Sequence, residues 1–550
     1  MKHRSRLVKG SFWILASQIA TKLLSFLYTV IIARLLTEDQ IGSFYFVLSI
    51  LSIFYLFSDF GLVSSLSRYV PYLSAREEIG KLKKTIKLGY FGGITSTFLF
   101  FIIVFLIAGP LSDLLGNPAV KPILEMMSIW LFLKEIDDLN HIVLFGRDKI
   151  RETQFLTVSQ AFLKLVLTVI AFYAFGFSVE SLSISFLLSF LLVIPFGFYF
   201  IFLELKGWKK LKVEKDVPGF FSLTKELVSF GMVMTMVGFL WTLVQSIDKI
   251  MIGYFLTDTI GDVAVYAFAI SLANLTLIFA SAISGMFFPI VSGLYGKGEI
   301  NELNKTIVVS MKWTIMSSIP IILMMFLFGG DLLSLFYGPV YKKGSLVLIL
   351  FVFGLSIQAV FFFLNSVFAA MRRLDIELKI ALAVTTSNIL LNAIFIPKFG
   401  IDGAAIASLI AFLVGSLLAW YYSRKILNFK FPKEIFKPLI AGLFAFFILF
   451  FLYGPILSVI DKIVFNIQIG SSQGQLLDEV AQKATKLVLF LILFAFSALV
   501  YFFTLLVLKS FGEDEITILE AGLRRVKVPA RYIVFVRQFL EADYLPFHKK

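Results

Sequence analysis

Residues Asn365 to Ile410 read NSVFAAMRRLDIELKIALAVTTSNILLNAIFIPKFGIDGAAIASLI, and their punctuation sets how the chain is organised. An apolar helix ends at Ala370, Met371, Arg372 and Arg373 make a short basic turn, and a second helix carries Asn388 and Asn392. Proline cannot continue a helix and glycine permits a reversal, so Pro397 to Gly403 is expected to be a compact interhelical turn. The third helix opens with Ala404, Ala405, Ala407 and Ser408, small enough to let a neighbouring helix approach closely in lipid.

Outward from this stretch the same apolar pattern recurs. The chain has 550 residues, of which 59% are hydrophobic and only 16% charged. Soluble domains are nearer half apolar and about a quarter charged, so this composition excludes an ordinary soluble protein. Fourteen apolar segments are expected, at approximately 11–36, 42–64, 88–110, 117–145, 152–176, 181–204, 225–253, 261–288, 306–329, 345–370, 376–396, 402–423, 434–455 and 485–508. Each approaches or exceeds the roughly 20 residues that span a bilayer. The first is longer than a signal-peptide core and lacks a small-residue cleavage site, so it reads as a retained span. Cysteine is absent and the histidines are His3, His141 and His548 alone, which removes thiolate and His-rich metal sites. No phosphate-binding Gly-rich loop with Lys-Ser/Thr is present, so ATP hydrolysis is not expected. The polar residues offer no paired nucleophile and base, and there is no large acidic, Arg-rich extramembrane loop, so no other enzymatic activity, cofactor or metal is expected.

The loops orient the spans. Thirty Lys and Arg fall on one side, in the N-terminus, Arg68 to Lys87, Arg147 to Arg151, Lys206 to Lys225, Lys297 to Lys312, Arg372 to Lys379 and Arg424 to Lys437. The other side holds seven: Lys121, Lys342, Lys343, Lys398, Lys462, Lys483 and Lys486. The positive-inside rule then places both termini in the cytoplasm, which an even number of spans permits, and explains the +14 net charge without nucleic acid.

The chain also repeats. Leu36-Thr37-Glu38 with Ile41-Gly42 and Tyr45 returns as Leu256-Thr257-Asp258 with Ile260-Gly261 and Tyr266. Pro71 to Ser74 returns as Pro289 to Ser292, and Asn140 before Arg147 returns as Asn365 before Arg372. Three ordered matches at an offset of about 220 residues point to two parallel six-helix lobes related by an axis along the membrane normal. The expected architecture is therefore an all-α membrane protein of about fourteen transmembrane helices. Its parts are lobes at 1–204 and 225–424, a basic linker at 205–224, two added helices within 425–509 and a cytoplasmic tail at 510–550.

The run of two asparagines, Pro397, Phe399-Gly400-Ile401 and Gly403-Ala404-Ala405-Ile406-Ala407 resembles the second half of the polysaccharide exporters and O-antigen flippases. These belong to the multidrug/oligosaccharidyl-lipid/polysaccharide exporter superfamily. The resemblance implies a MATE-like transporter of the cell membrane that moves lipid-linked oligosaccharide by alternating access, through a polar cavity lined by the first, second, seventh and eighth spans. It also implies coupling to a gradient of H+ or Na+, and the two added helices resemble the extra pair of several flippase families. A cation-coupled multidrug exporter of the same superfamily and a membrane scaffold of a glycan-assembly complex are the other readings.

Ionisable residues inside spans usually face a cavity or a partner. Lys22 lies near mid-span beside Ser17, Gln18 and Thr21, where it either meets an anionic substrate or pairs with Asp59 or a carboxylate of the fourth span. Glu135, Asp137 and Asp138 form the densest carboxylate cluster, a candidate proton or Na+ site or, alternatively, a partner for Lys164. Asp248, toward the outer end of the seventh span, resembles the flippase pattern and reads equally as interfacial. Asp59 in Asp59-Phe60-Gly61-Leu62 reads first as a turn-and-pairing residue at the gate and second as a substrate contact, and Asp59 and Asp248 are both candidates for the cavity. Asn140, Asn365, Asn388 and Asn392 read first as interhelical hydrogen-bond donors, with Asn140 and Asn365 also candidates for the cavity wall.

Overall fold

The computed structural model describes residues 2–208, 219–431, 433–469 and 475–512, with scattered positions between 516 and 538. The centre of the basic linker, the polar stretch 470–474 and most of the tail lie outside the described residues. The elements of the first half are α1 (Lys2–Leu35), α2 (Glu38–Ser58), α3 (Leu62–Ala75), α4 (Ile79–Leu114), α5 (Lys121–Met127), α6 (Trp130–Gly146), α7 (Ile150–Phe175) and α8 (Val179–Trp208). They are followed by α9 (Phe220–Phe255), α10 (Gly261–Ala273), α11 (Leu277–Gly296), α12 (Ile300–Phe336), α13 (Ser345–Ala370), α14 (Leu374–Leu427), α15 (Phe436–Ile469) and α16 (Gln475–Val507). Among the described residues eleven helices are long and apolar enough to cross a membrane.

Between Asn365 and Ile410 the basic turn falls where the sequence places it, but the second helix does not stop at Pro397. Helix α13 ends at Ala370, and Arg372 takes a left-handed φ of 58° in the basic turn. Helix α14 runs through Pro397 and is interrupted at Gly400, whose φ of 58° and ψ of −137° lie outside the helical region. Gly403 sits against the Phe395 carbonyl with no room for a Cβ, so the reversal needs glycine at both points.

The chain divides into two compact units, residues 1–272 with 377–411 and residues 273–376 with 412–550. In the first, Leu66, Val70, Leu82, Leu139, Leu156 and Val193 from α3, α4, α6, α7 and α8 bury one another. Apolar burial drives little association where lipid is equally apolar, so close backbone approach and interhelical hydrogen bonds position the helices. Asn140, fully buried, does this from α6: it accepts from the Tyr90 hydroxyl at 2.6 Å and faces the α8 backbone at Ile194 and Gly197.

The two copies of the Leu-Thr-acid motif meet within this unit. Thr37 caps α2 with a reciprocal bond to Gln40, 3.0 Å from the Thr37 N–H to the Gln40 carbonyl oxygen. Gly42 presses on the Ile260 carbonyl, and the Gly261 N–H donates to Asp39 Oδ1 at 3.0 Å. At the other end of α2, Gly61 adopts φ +76° and rests on the Gly231 backbone, while the Ser65 hydroxyl donates to the Leu227 carbonyl.

Candidate transport site

Two clusters of carboxylates are built into the first unit. The first gathers on α6. Lys134 and Asp138, one turn apart, form an ion pair, and the Lys134 ammonium also stands 5.8 Å from the Tyr55 ring centre. The Tyr55 hydroxyl lies 2.7 Å from Asp138 Oδ2 and 3.2 Å from Glu135 Oε2. A phenol has one proton to give, so the shorter contact to Asp138 holds it and Glu135 receives the weaker share. Glu135 Oε1 is buried against Gly93 with no hydrogen-bond partner among the described residues, and any Cβ at position 93 would strike it. Asp137 points to His141, 3.6 Å away.

Asp59 closes the corner between α2 and α3, where its Oδ1 accepts from the Val63 N–H at 2.9 Å. This is the turn role expected of it, carried out close enough to Glu135 for the two charges to interact. The alternative in which Lys164 pairs with the α6 carboxylates is not what the fold gives. Lys164 sits on α7 over the Tyr28 ring at 4.5 Å, and the cation for Asp138 comes from Lys134, one helical turn earlier on the same face. Lys22 is half-buried on α1.

The second cluster surrounds Asp248, which is buried, only 3% exposed. Its Oδ2 accepts from the Tyr266 hydroxyl at 2.5 Å and the Ser408 hydroxyl at 2.6 Å, and its Oδ1 from Asn392 Nδ2 at 2.6 Å. Asn392 Nδ2 also reaches Asn388 Oδ1 at 3.2 Å, and Asn388 Nδ2 reaches Ser408 Oγ at 3.1 Å. Asn392 Oδ1 is buried with no partner among the described residues. Lys249, next in sequence, turns its ammonium to the Gln245 carbonyl. Asn388 and Asn392 thus work as the interhelical donors expected from sequence. Asn365 lies on α13 in the second unit, with a buried Oδ1 that has no hydrogen-bond partner among the described residues.

Tyr55, Tyr266 and Ser408 escaped the sequence reading as site residues. Tyr266 stood in the repeated motif and Ser408 among the small residues after Gly403, but nothing in their spacing pointed to a carboxylate. Among the described residues no three His, Asp or Glu side chains gather as a metal site.

The family model for "Polysaccharide biosynthesis protein" matches residues 7–294, more than half of the chain. The chain belongs to that family, within the multidrug/oligosaccharidyl-lipid/polysaccharide exporter superfamily. A second model, for the lipid II flippase MurJ, matches residues 151–471 of this polysaccharide biosynthesis family member. Membrane protein MJ1068 of Methanocaldococcus jannaschii is 26% identical over 492 residues, covering 85% of this chain and 93% of its own length. The probable flippase AglR of Haloferax volcanii is 30% identical over 176 residues, 32% of this chain and 36% of its own. Among solved structures, the lipid II flippase MurJ in an inward closed conformation shares the fold with a TM-score of 0.62 at 16% identity, over 87% of this chain and 97% of that one. An inward-facing MATE-family multidrug transporter gives 0.61 at 15% identity, over 74% and 94%. The chain is a multi-pass membrane protein whose relatives are flippases and transporters rather than enzymes.

Proposed function

We propose that this protein flips a lipid-linked oligosaccharide from the cytoplasmic to the outer leaflet of the cell membrane, by alternating access and driven by a cation gradient. The observation that carries the reading is the Asp248 cluster, a buried carboxylate held by the neutral hydroxyls of Tyr266 and Ser408 and the Asn392 amide in a chain of the polysaccharide biosynthesis family. Hard oxygen ligands suit an alkali cation. Asp248, Asn388 Oδ1, Ser408 Oγ and the unpartnered Asn392 Oδ1 fit that chemistry, with Na+ as cargo of the cycle rather than a resident metal. The Glu135–Asp138 group already holds Lys134 and is the second candidate, better suited to a proton than to a metal cation.

Fourteen spans follow if α14 counts as two helices divided at Gly400, and if α5 with α6 and α10 with α11 each complete a crossing. The excess of basic residues then keeps both termini cytoplasmic. The lobes and linker expected from the internal repeat belong to the same proposal. Lys22 is the cavity cation for the substrate's phosphates, and Asn140 and Asn365 support the cavity walls.

The test is flipping of a fluorescent lipid-linked oligosaccharide in proteoliposomes, for wild type and Lys22→Ala, with and without imposed H+ or Na+ gradients. Flipping that falls at least about tenfold in Lys22→Ala, the scale of one lost charge-assisted contact, supports the reading. Absence of flipping together with efflux of a cationic dye would replace it with the multidrug reading.

A further inference from the structure

Two cavities in the second unit follow one another along α12. At its start, a polar cavity of about 480 Å³ is edged by Lys305, Lys312 and Lys430, with Asn301, Asn304 and one carboxylate, Glu434. Lys305 also bonds Glu302 at 2.9 Å. Farther along the helix an apolar cavity of about 460 Å³ is walled by α12, α13 and α15, with Phe326, Phe353 and Phe446 at its deep end. Where the two approach, Thr314 and Ser318 line the apolar cavity with buried hydroxyls that have no hydrogen-bond partner among the described residues. Asn428, Phe429, Lys430 and Glu434 line the polar cavity and Phe431 and Ile435 the apolar one, so the two lie side by side along this stretch as well as along α12.

The order of chemistry is cationic, then hydroxyl, then aromatic. At 1.5 Å per residue Ser318 lies about 9 Å and Phe326 about 21 Å along the helix from Lys312. Half a bilayer including its headgroup region is about 20 Å thick, so the groove from Lys312 to Phe326 is one leaflet deep. Phosphate, glycerol oxygens and a hydrocarbon chain occur in that order in a glycerophospholipid. A polyprenyl diphosphate has no oxygen below its phosphates for Thr314 and Ser318 to meet. We propose that this groove is a resident site for an anionic glycerophospholipid of the cytoplasmic leaflet. The assignment rests on the proposed orientation, in which the start of α12 faces the cytoplasm.

Trp313, between Lys312 and Thr314, supplies the probe. The full-length protein is placed in phosphatidylcholine vesicles containing a minor fraction of brominated phosphatidylglycerol or brominated phosphatidylcholine. Quenching absent from Trp313→Phe defines the local signal. The expected result is preferential quenching by brominated phosphatidylglycerol, weakened about fivefold by Lys430→Gln, the increment of one lysine near anionic lipid. Gly442→Leu, which drives a side chain into Ile319 at the groove wall, is expected to abolish it. Lys430 is exposed, so its variant keeps the test alive should Gly442→Leu fail to fold. Equal quenching by both lipids, or indifference to Lys430→Gln, overturns the site. Displacement of the brominated lipid by an equimolar polyprenyl diphosphate also overturns it, by making the groove a path for substrate. Flipping is scored separately. Lost lipid preference with flipping intact removes this site alone, and lost flipping with preference intact removes the transport reading alone.

Discussion

Around Asp248 a single carboxylate meets three neutral donors from Tyr266, Ser408 and Asn392, whereas Glu135 and Asp138 compete for one phenol proton beside one ammonium. The first arrangement is over-supplied with fixed dipoles and carries an uncompensated charge that an entering cation can meet. The second is short of donors and already contains its cation, so its stability hangs on Lys134 and Tyr55. Two acidic clusters in one unit therefore have different liabilities, and single substitutions separate them.

The largest stability effect is expected at Lys134. Replacing it with Met leaves the half-buried Asp138 beside Glu135 without its cation, a change costing about 3 kcal/mol, the upper end for an unpaired polar group. Thermal unfolding in detergent reads it, and a loss no greater than that of an exposed lysine variant would break the comparison. Next is a pair of matched substitutions. Tyr55→Phe strips the shared proton from two carboxylates and should lower stability by about 1–3 kcal/mol. Tyr266→Phe should cost less, because Asp248 keeps Ser408 and Asn392. The reverse order would show that the Asp248 ring is the poorer in donors. Gly61→Ala probes the corner after α2 apart from the acids. A left-handed residue with a Cβ costs about 1–2 kcal/mol, to which contact with the Gly231 backbone adds. An unchanged melting temperature would show that the corner after α2 relaxes away from α9.

Much of this frame was legible in the sequence. The end of α13 at Ala370, the basic turn and the interruption between Pro397 and Gly403 are written in residues whose backbone limits are absolute. The repeated Leu36-Thr37-Glu38 motif marked the start of the second helix, though not the Gln40 side chain that completes its cap. The partners of the buried acids were not legible, for a physical reason. Helices that are apolar on every side give no periodicity to say which face meets a neighbour, so Tyr55, Tyr266 and Ser408 looked like ordinary span residues. For the same reason the sequence did not show that Asn392 and Ser408 of α14 close over Asp248. Lys164 was a reasonable partner for the α6 acids by sequence alone, yet α7 turns it toward Tyr28.

The most direct measurement is flipping of a lipid-linked oligosaccharide by wild type, Asp248→Asn and Asp138→Asn in proteoliposomes with an imposed Na+ gradient. Asp248→Asn keeps the size of the side chain and removes the charge that would hold the cation. Loss of the gradient response in Asp248→Asn by at least about tenfold, with Asp138→Asn retaining it, is the predicted result. A gradient response that survives in Asp248→Asn and disappears in Asp138→Asn would contradict the account and move the coupling ion to α6.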